Sequence, residues 1–195
     1  MKTTATLALL IAGGIALPAL AQTAATEVQR NTNQQQRIEQ GLQSGALSSK
    51  EAGKLEREQT QVDRMEKNAL KDGALTPAES ARIKSAQDRT SKRIAAQKHD
   101  AQRGNPASKS SQRMQADVQR NVNQQARIEQ GVTSGQLSNQ EVASLERGQA
   151  HVNRAEANAA ANGRVGAVEQ ASVQGRENVQ SARVYNKKSN ATTQP

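Results

Sequence analysis

The chain has 195 residues, of which 34% are hydrophobic, and it contains one Tyr but no Phe, Trp or Cys. Its formal net charge of +9 makes it basic. These properties exclude an aromatic core, a disulfide framework and a thiolate metal site, and they predict a thin aliphatic core of marginal stability. The abundance of Gln, Asn, Ser and charged residues leaves partial disorder open as an alternative.

Residues 1–21 are predicted to be a secretory signal peptide. Lys2 precedes an apolar run, Leu7 to Leu17, that is too short to span a bilayer. Pro18 ends this run, and Ala19-Leu20-Ala21 fits a small-x-small cleavage site before Gln22. We therefore expect a periplasmic or secreted mature protein without a transmembrane segment.

The rest of the sequence is an internal duplication with an offset of 90 residues. Residues 27–41 and 117–131 are identical at 12 of 15 positions, and the match continues through Leu55-Glu56-Arg57 and Leu145-Glu146-Arg147. Gly104 and Pro106 interrupt the pattern between the copies. The predicted organisation is a first helical repeat, a linker, a second helical repeat and a disordered tail, over 22–102, 103–113, 114–186 and 187–195.

Each copy is predicted to contain three helices separated by glycine turns. Three helix starts carry a hydroxyl residue followed three positions later by Glu, the pattern of a capping box: Ser48 with Glu51, Thr76 with Glu79, and Ser138 with Glu141. Gly45, Gly73, Gly135 and Gly163 suit the left-handed position that ends a helix. The resulting helices are expected near 25–41, 48–70, 77–99, 115–131, 138–160 and 167–185.

These elements predict an all-α fold made of two tandem copies of a three-helix unit that pack weakly, with a disordered linker and tail. Leu55, Val62 and Ala69 repeat every seven residues, whereas Gln35 interrupts the apolar face of the first helix. Short glycine turns favour antiparallel neighbours. Two arrangements stay open, namely a separate bundle for each copy or one array of all six helices, and the oligomeric state is not predicted.

Basic residues concentrate between positions 80 and 113, where nine Lys or Arg face two Asp. Arg82, Arg89 and Arg93 share one face of a helix because they are spaced by seven and four. This face predicts binding to an anionic envelope surface or an acidic protein. The alternative is a solvated helix without a partner. Nucleic acid is disfavoured because stacking aromatics are absent.

The sequence predicts neither enzymatic activity nor a cofactor. His99 and His151 do not occupy equivalent positions in the two copies, and no Ser-His-acid set or glycine-rich phosphate loop stands out. A weak calcium hypothesis concerns Asn68, Asp72 and Glu79, which match parts of an EF-hand loop, although Leu70 lacks an oxygen at a ligand position. Helix termination followed by helix capping explains the same residues equally well.

Several segments carry a resemblance to known proteins, namely Gln34 to Gly41, Ser44 to Glu51, Asp72 to Glu79, and Lys98-His99. They resemble a class of small exported proteobacterial helical proteins of uncharacterised function, which implies a helical envelope protein. Leu75 to Glu79 is similar to the Leu-Thr-x-x-Gln motif of periplasmic stress chaperones, with Glu in place of Gln. We therefore expect a non-enzymatic interaction protein, and the alternative is a chaperone-like holdase that binds unfolded proteins.

Overall fold

The computed structural model describes residues 18–190, with side chains described from residue 24 onward. This part of the chain contains helices and no strands, which confirms the all-α prediction. The helices are α1 (Pro18–Gln43), α2 (Ser49–Leu70), α3 (Pro77–Lys98), α4 (Lys109–Thr133), α5 (Asn139–Ala159) and α6 (Ala167–Ser189). The predicted signal peptide, its cleavage site and residues 191–195 lie outside the range whose side chains are described.

The predicted helix caps and glycine turns are confirmed. The hydroxyls of Ser48, Thr76 and Ser138 each accept a hydrogen bond from the backbone amide three residues later, and the Glu at that position accepts one from the cap amide. Two orphan amides of each helix start are thereby satisfied reciprocally. The four predicted turn glycines have positive φ values between +71° and +89°. Helix α6 begins at Ala167, and its N-cap residue, Gly166, has no side chain to cap it.

The linker and the tail differ from the prediction. Helix α4 begins at Lys109 rather than near 115, because the Ser108 hydroxyl accepts a hydrogen bond of 3.2 Å from the Ser111 amide. The shorter linker is ordered against the first copy, since the Gly104 amide donates to the Gly45 carbonyl at 2.9 Å. A Cβ on Gly104 would lie 2.3 Å from the Leu47 carbonyl oxygen, so only glycine fits there.

Helix α6 continues through Ser189, so the prediction of a disordered tail from residue 187 was wrong for its first three residues. Side-chain contacts hold this end of the helix in place. Lys188 Nζ donates to Gln130 Oε1 at 2.8 Å, and Asn190 Nδ2 donates to Glu141 Oε1 at 2.8 Å. Both acceptors belong to the same repeat as α6, and they anchor its last turn onto α4 and the start of α5.

The two copies interlock as one array instead of forming separate bundles. Helix α2 packs chiefly against α5, and α1 packs chiefly against α4, so the most extensive contacts join equivalent helices of different copies. Helix α3 lies against α1 and α2, and α6 lies in the same way against α4 and α5. Among residues 18–190, none of the six helices combines the length and apolar character needed to cross a bilayer.

Two apolar clusters form the core, and each draws on both copies. One cluster joins the start of α1 and the end of α2 to the end of α4 and the start of α5, through residues such as Val28, Leu70, Ile128 and Leu145. The other joins the opposite helix ends, through residues such as Ile38, Leu55, Met114 and Ala160. This pairing of starts with ends makes α1 antiparallel to α4 and α2 antiparallel to α5. Neither copy contains a complete core of its own.

A single repeat, residues 22–107, is therefore expected to fold as a homodimer, because a second identical copy can supply the missing helix faces by two-fold symmetry. Light scattering after size exclusion should give twice the mass of the repeat, together with a helical circular dichroism spectrum. The full chain, in which both copies are already present, is the control. A helical monomer at micromolar concentration would contradict the interlocked core.

Ser48→Ala is expected to lower the free energy of unfolding by about 1 kcal/mol, because the amide that bonds the Ser48 hydroxyl would lose its partner. Urea unfolding followed by circular dichroism measures this change. Ser48→Thr retains an acceptor at the same position and should stay close to the wild type. Equal stability of the Ala and Thr variants would show that the cap contributes nothing.

A buried carboxyl layer and a basic groove as candidate functional sites

Polar residues occupy the middle of α2 and α5, between the two apolar clusters. They recur with spacings of three, four and three, which places them on one face of each helix. None is more than 1% exposed. On α2 they are Glu56, Gln59, Asp63 and Glu66, and the equivalent residues on α5 are Glu146, Gln149, Asn153 and Glu156.

Asp63 and Asn153 mark the centre of this polar region. They are equivalent positions of the two copies, 90 residues apart, and Asn153 Nδ2 donates to Asp63 Oδ2 at 2.9 Å. A contact between equivalent residues lies near the approximate two-fold axis that relates the copies. Four other buried carboxyl groups lie around this contact, and together with Asp63 we name them the carboxyl layer: Glu56, Asp63, Glu66, Glu146 and Glu156.

Carboxamides from α1 and α4 hold the carboxyl layer in a repeated pattern. Asn31 Nδ2 donates to Glu66 Oε2 at 2.7 Å, and Gln35 Nε2 donates to Glu56 Oε2 at 2.9 Å. In the second copy, Asn121 and Gln125 make the equivalent bonds to Glu156 and Glu146. Gln35 therefore does not merely interrupt an apolar face, because it is buried and orients a carboxyl group.

The carboxyl layer has no cationic partner in its surroundings. Among the described residues, no Lys, Arg or His forms an ion pair with any of the five carboxyls, and the side chains that donate hydrogen bonds to them are neutral amides. Burial raises the pKa of Glu56 to about 8 and that of Glu146 to about 7. Burial, with repulsion from neighbouring carboxylates, also raises the pKa values of Asp63, Glu66 and Glu156. Each of these groups must therefore hold a proton or share a cation.

Three members of the layer approach each other closely enough to bind one ion. Asp63, Glu66 and Glu146 each offer an oxygen, and the three atoms lie within 4.8 Å of one another. Within residues 24–190 they are the one group of three His, Cys, Asp or Glu side chains that meets this spacing. Carboxylate oxygens are the ligands that hard divalent cations prefer.

The residues of the calcium hypothesis lie elsewhere, around the turn between α2 and α3. Asn68 Oδ1 accepts from Lys67 Nζ, and Asp72 Oδ1 accepts from the Ala74 amide at 3.2 Å. Glu79 completes the capping box of α3. Each of the three thus has a local structural role at a helix end, and calcium binding by this turn stays a prediction.

Two of the three predicted basic residues line a groove between α2 and α3. Arg89 and Arg93 face Lys54 and Arg57 across a cavity of about 600 Å³, and all four are exposed. Glu58 is the one acidic residue in its lining, and its carboxylate accepts from Arg93 Nη1 at 2.6 Å. Arg82 is exposed on α3 but does not line the groove, so the structure does not place the three arginines at one site.

The second copy has a related basic groove between α5 and α6. His151, Arg176 and Arg183 line it, and His151 also lines a neighbouring recess with Arg64 and Arg147. Burial lowers the pKa of His151, and the surrounding arginines lower it further. Positive charge therefore extends over the outer surface formed by α2, α5 and α6, and the α2–α3 groove carries the same sign.

Comparison with known proteins adds no assignment, since no protein family, curated protein or solved structure matches this chain. The duplication itself contains a signal that sequence reasoning missed. Glu56, Gln59 and Glu66 recur unchanged as Glu146, Gln149 and Glu156, although polar residues on a solvated helix face are free to diverge. Their retention at helical spacing beside the apolar heptad indicates a buried polar stripe.

Two further buried carboxyl groups, Glu177 and Asp117, lie in the second copy at the interface of α4 and α6. Glu177 Oε2 lies 3.0 Å from Arg120 Nε, and Asp117 is buried nearby. Burial raises the pKa of Glu177 to about 8, and repulsion from Asp117 adds to the effect while Arg120 opposes it. Burial also raises the pKa of Asp117 to about 6. In the first copy, Gln87 occupies the position of Glu177.

The free energy of unfolding is expected to fall as the pH rises from 6 to about 8 and to level off above that. The folded protein retains the Glu177 proton up to about pH 8, whereas an unfolded glutamate releases it near pH 4.3, so folding becomes less favourable as the pH rises. One such group contributes a slope of up to about 1.4 kcal/mol per pH unit.

Glu177→Gln should flatten this slope, because glutamine cannot ionise and Gln87 shows that the amide fits the equivalent site. Urea unfolding at pH 6, 7, 8 and 9 gives the comparison. Glu169→Gln, on the exposed face of the same helix, is the control and should leave the slope unchanged. An unaltered slope in Glu177→Gln would show that Glu177 is already ionised in the folded protein.

Proposed function

We propose that this chain is a non-enzymatic, exported binding protein of the bacterial envelope that docks on anionic lipid headgroups through its basic outer surface. The observation that carries the proposal is the groove between α2 and α3. Lys54, Arg57, Arg89 and Arg93 surround a single acid there, Glu58. A cavity in which positive charges outnumber negative ones attracts anions and suits a phosphate-bearing partner.

The chemistry of the groove suits an oxyanion, and the presence of two grooves favours a repeated array of phosphates over a single acidic protein. Arginine guanidinium groups bind phosphate oxygens through two parallel hydrogen bonds, and three of the four groove cations are arginines. The second basic groove, with Arg176 and Arg183, would let a flat anionic surface engage both copies together. Lipid headgroups present such a repeated array of phosphates.

The holdase alternative receives less support from the same surface. In the described part of the chain, the large apolar side chains that are exposed are Val168, Val179 and Tyr185, all on α6. A surface that captures unfolded proteins requires a contiguous apolar patch. The described surface is instead dominated by charged and amide side chains, which favours electrostatic docking.

Replacing Arg89 and Arg93 by Gln is expected to weaken binding to vesicles that contain phosphatidylglycerol. Each basic residue near an anionic membrane contributes about 1 kcal/mol, so the double variant should bind about thirtyfold more weakly. Co-sedimentation of the mature chain with the vesicles at low salt measures the affinity. Binding should also fall steeply as salt is added.

The matched control is Lys84→Gln with Lys109→Gln, which removes the same charge from exposed positions outside the groove. This variant should lose less affinity than Arg89→Gln with Arg93→Gln. Vesicles of phosphatidylcholine alone should not bind. Equal losses in both variants would indicate a net-charge effect without a site, and absent or salt-insensitive binding would refute membrane docking.

A further inference from the structure

The trio Asp63, Glu66 and Glu146 lies at the packed centre of the array, where α2 meets α5. Each residue is at most 1% exposed, and one oxygen from each lies within 4.8 Å of the others. Calcium binds oxygen ligands at about 2.3–2.6 Å, so one ion placed among these atoms would reach all three after shifts of at most a few tenths of an ångström. The trio draws two ligands from the first copy and one from the second.

Gln59 supplies a second and independent indication of a ligand. It is 1% exposed, yet neither end of its carboxamide has a hydrogen-bond partner. It lies one helical turn from Asp63 on the same face of α2, and its equivalent, Gln149, donates to Asn121 and Asn153 inside the polar region. A buried amide without partners is costly, and an oxygen-binding cation would satisfy its carbonyl.

Glu146, a member of the trio, also has a buried polar atom without a hydrogen-bond partner. Its Oε2 accepts from Gln125 Nε2, whereas its Oε1 is buried without any hydrogen-bond partner. An ionised carboxylate in a dry interior requires a positive charge close by. Within the described range, no Lys, Arg or His forms an ion pair with a member of the trio, so the side chains around it do not supply that charge.

We propose that Asp63, Glu66, Glu146 and Gln59 form a calcium site at the centre of the helical array. One oxygen from each carboxylate and the carboxamide carbonyl give four ligands, and a second oxygen from two of the carboxylates would bring the number to six, the lower end of the range that calcium accepts. The trio contains no His or Cys, and this disfavours zinc and copper. The site is separate from the basic outer surface and does not depend on membrane docking.

Carboxamides already hold the ligands in place for this ion. Asn31 and Gln87 donate to the two oxygens of Glu66, and Asn153 donates to Asp63. A carboxylate oxygen that accepts one hydrogen bond retains a second lone pair for a metal. These amides form the outer shell that fixes ligand orientation in metal sites. The bound ion would join α2 to α5 and so link the two copies.

Divergence of the copies explains why there is one site instead of two. Asn153 stands where the first copy has Asp63, so the two-fold related position lacks one carboxylate. The same difference offers an isosteric variant, Asp63→Asn, which makes the two copies identical at this position. An asparagine already fits the equivalent site of the second copy, at Asn153. Glu66 and Glu156 are likewise equivalent, but Glu66 alone belongs to the trio.

The test uses the full mature chain, unfolded with a chelator and refolded with either calcium or chelator, because a buried site exchanges its ion slowly. After dialysis, elemental analysis should find about one calcium per chain, and the calcium-loaded form should melt at a higher temperature. Manganese can replace calcium as a probe of the same site. Its binding is measured by the decrease in the electron-spin-resonance signal of free manganese. Asp63→Asn and Glu146→Gln should each weaken binding by about 10- to 100-fold or more.

Two further variants locate the site. Glu66→Gln should weaken binding far more than Glu156→Gln, its counterpart outside the trio, and Asp72→Asn should leave binding intact. The proposal is overturned if the refolded wild type retains no calcium or manganese at millimolar concentration. It is also overturned if binding survives in both Asp63→Asn and Glu146→Gln, or is lost only in Asp72→Asn, with circular dichroism confirming that the variants are helical.

Discussion

The antiparallel packing of α2 on α5 is the constraint on which the rest of the structure depends. Because the two helices are duplicates, equivalent residues meet at their centre, and Asp63 contacts Asn153 there. On either side of that contact, the apolar ends of both helices complete the two core clusters. Helices α1 and α4 repeat the arrangement. The duplication therefore yields one folding unit with approximate two-fold symmetry, although its sequence contains two repeats.

The buried polar centre of this array fixes the register of α2 on α5 more than it adds to the free energy of unfolding. Sliding α2 along α5 by one turn would press Glu56 or Glu66 against an apolar end cluster, and the desolvation of an unpaired carboxyl group opposes such a shift. Buried polar groups are known to fix helix register in this way. The carboxyl layer lies inside the array, whereas the arginines and lysines lie on its surface. The surface is therefore more basic than the sequence as a whole.

The local elements could be predicted because their determinants are local. Ser48, Thr76, Ser138 and the four turn glycines each specify a helix boundary through residues three or four positions away. The pairing of the copies could not be predicted, since a bundle formed within one copy and an array formed between copies use the same amphipathic faces. The carboxyl layer was missed for a related reason: charged residues at helical spacing are usually solvated, and only the position of α5 shows that Glu56, Asp63 and Glu66 are buried.

Native-state hydrogen exchange of the chain from residue 22 onward tests the interlocked array most directly. If α2 and α5 form a shared centre, their amides near residues 56–66 and 146–156 should exchange most slowly, with the same free energy of opening, because both helices are exposed only by global unfolding. If instead α2 and α5 exchanged with different opening free energies, each together with the helices of its own repeat, the copies would be opening independently. That result would contradict the shared core and remove the basis for a carboxyl layer between the copies.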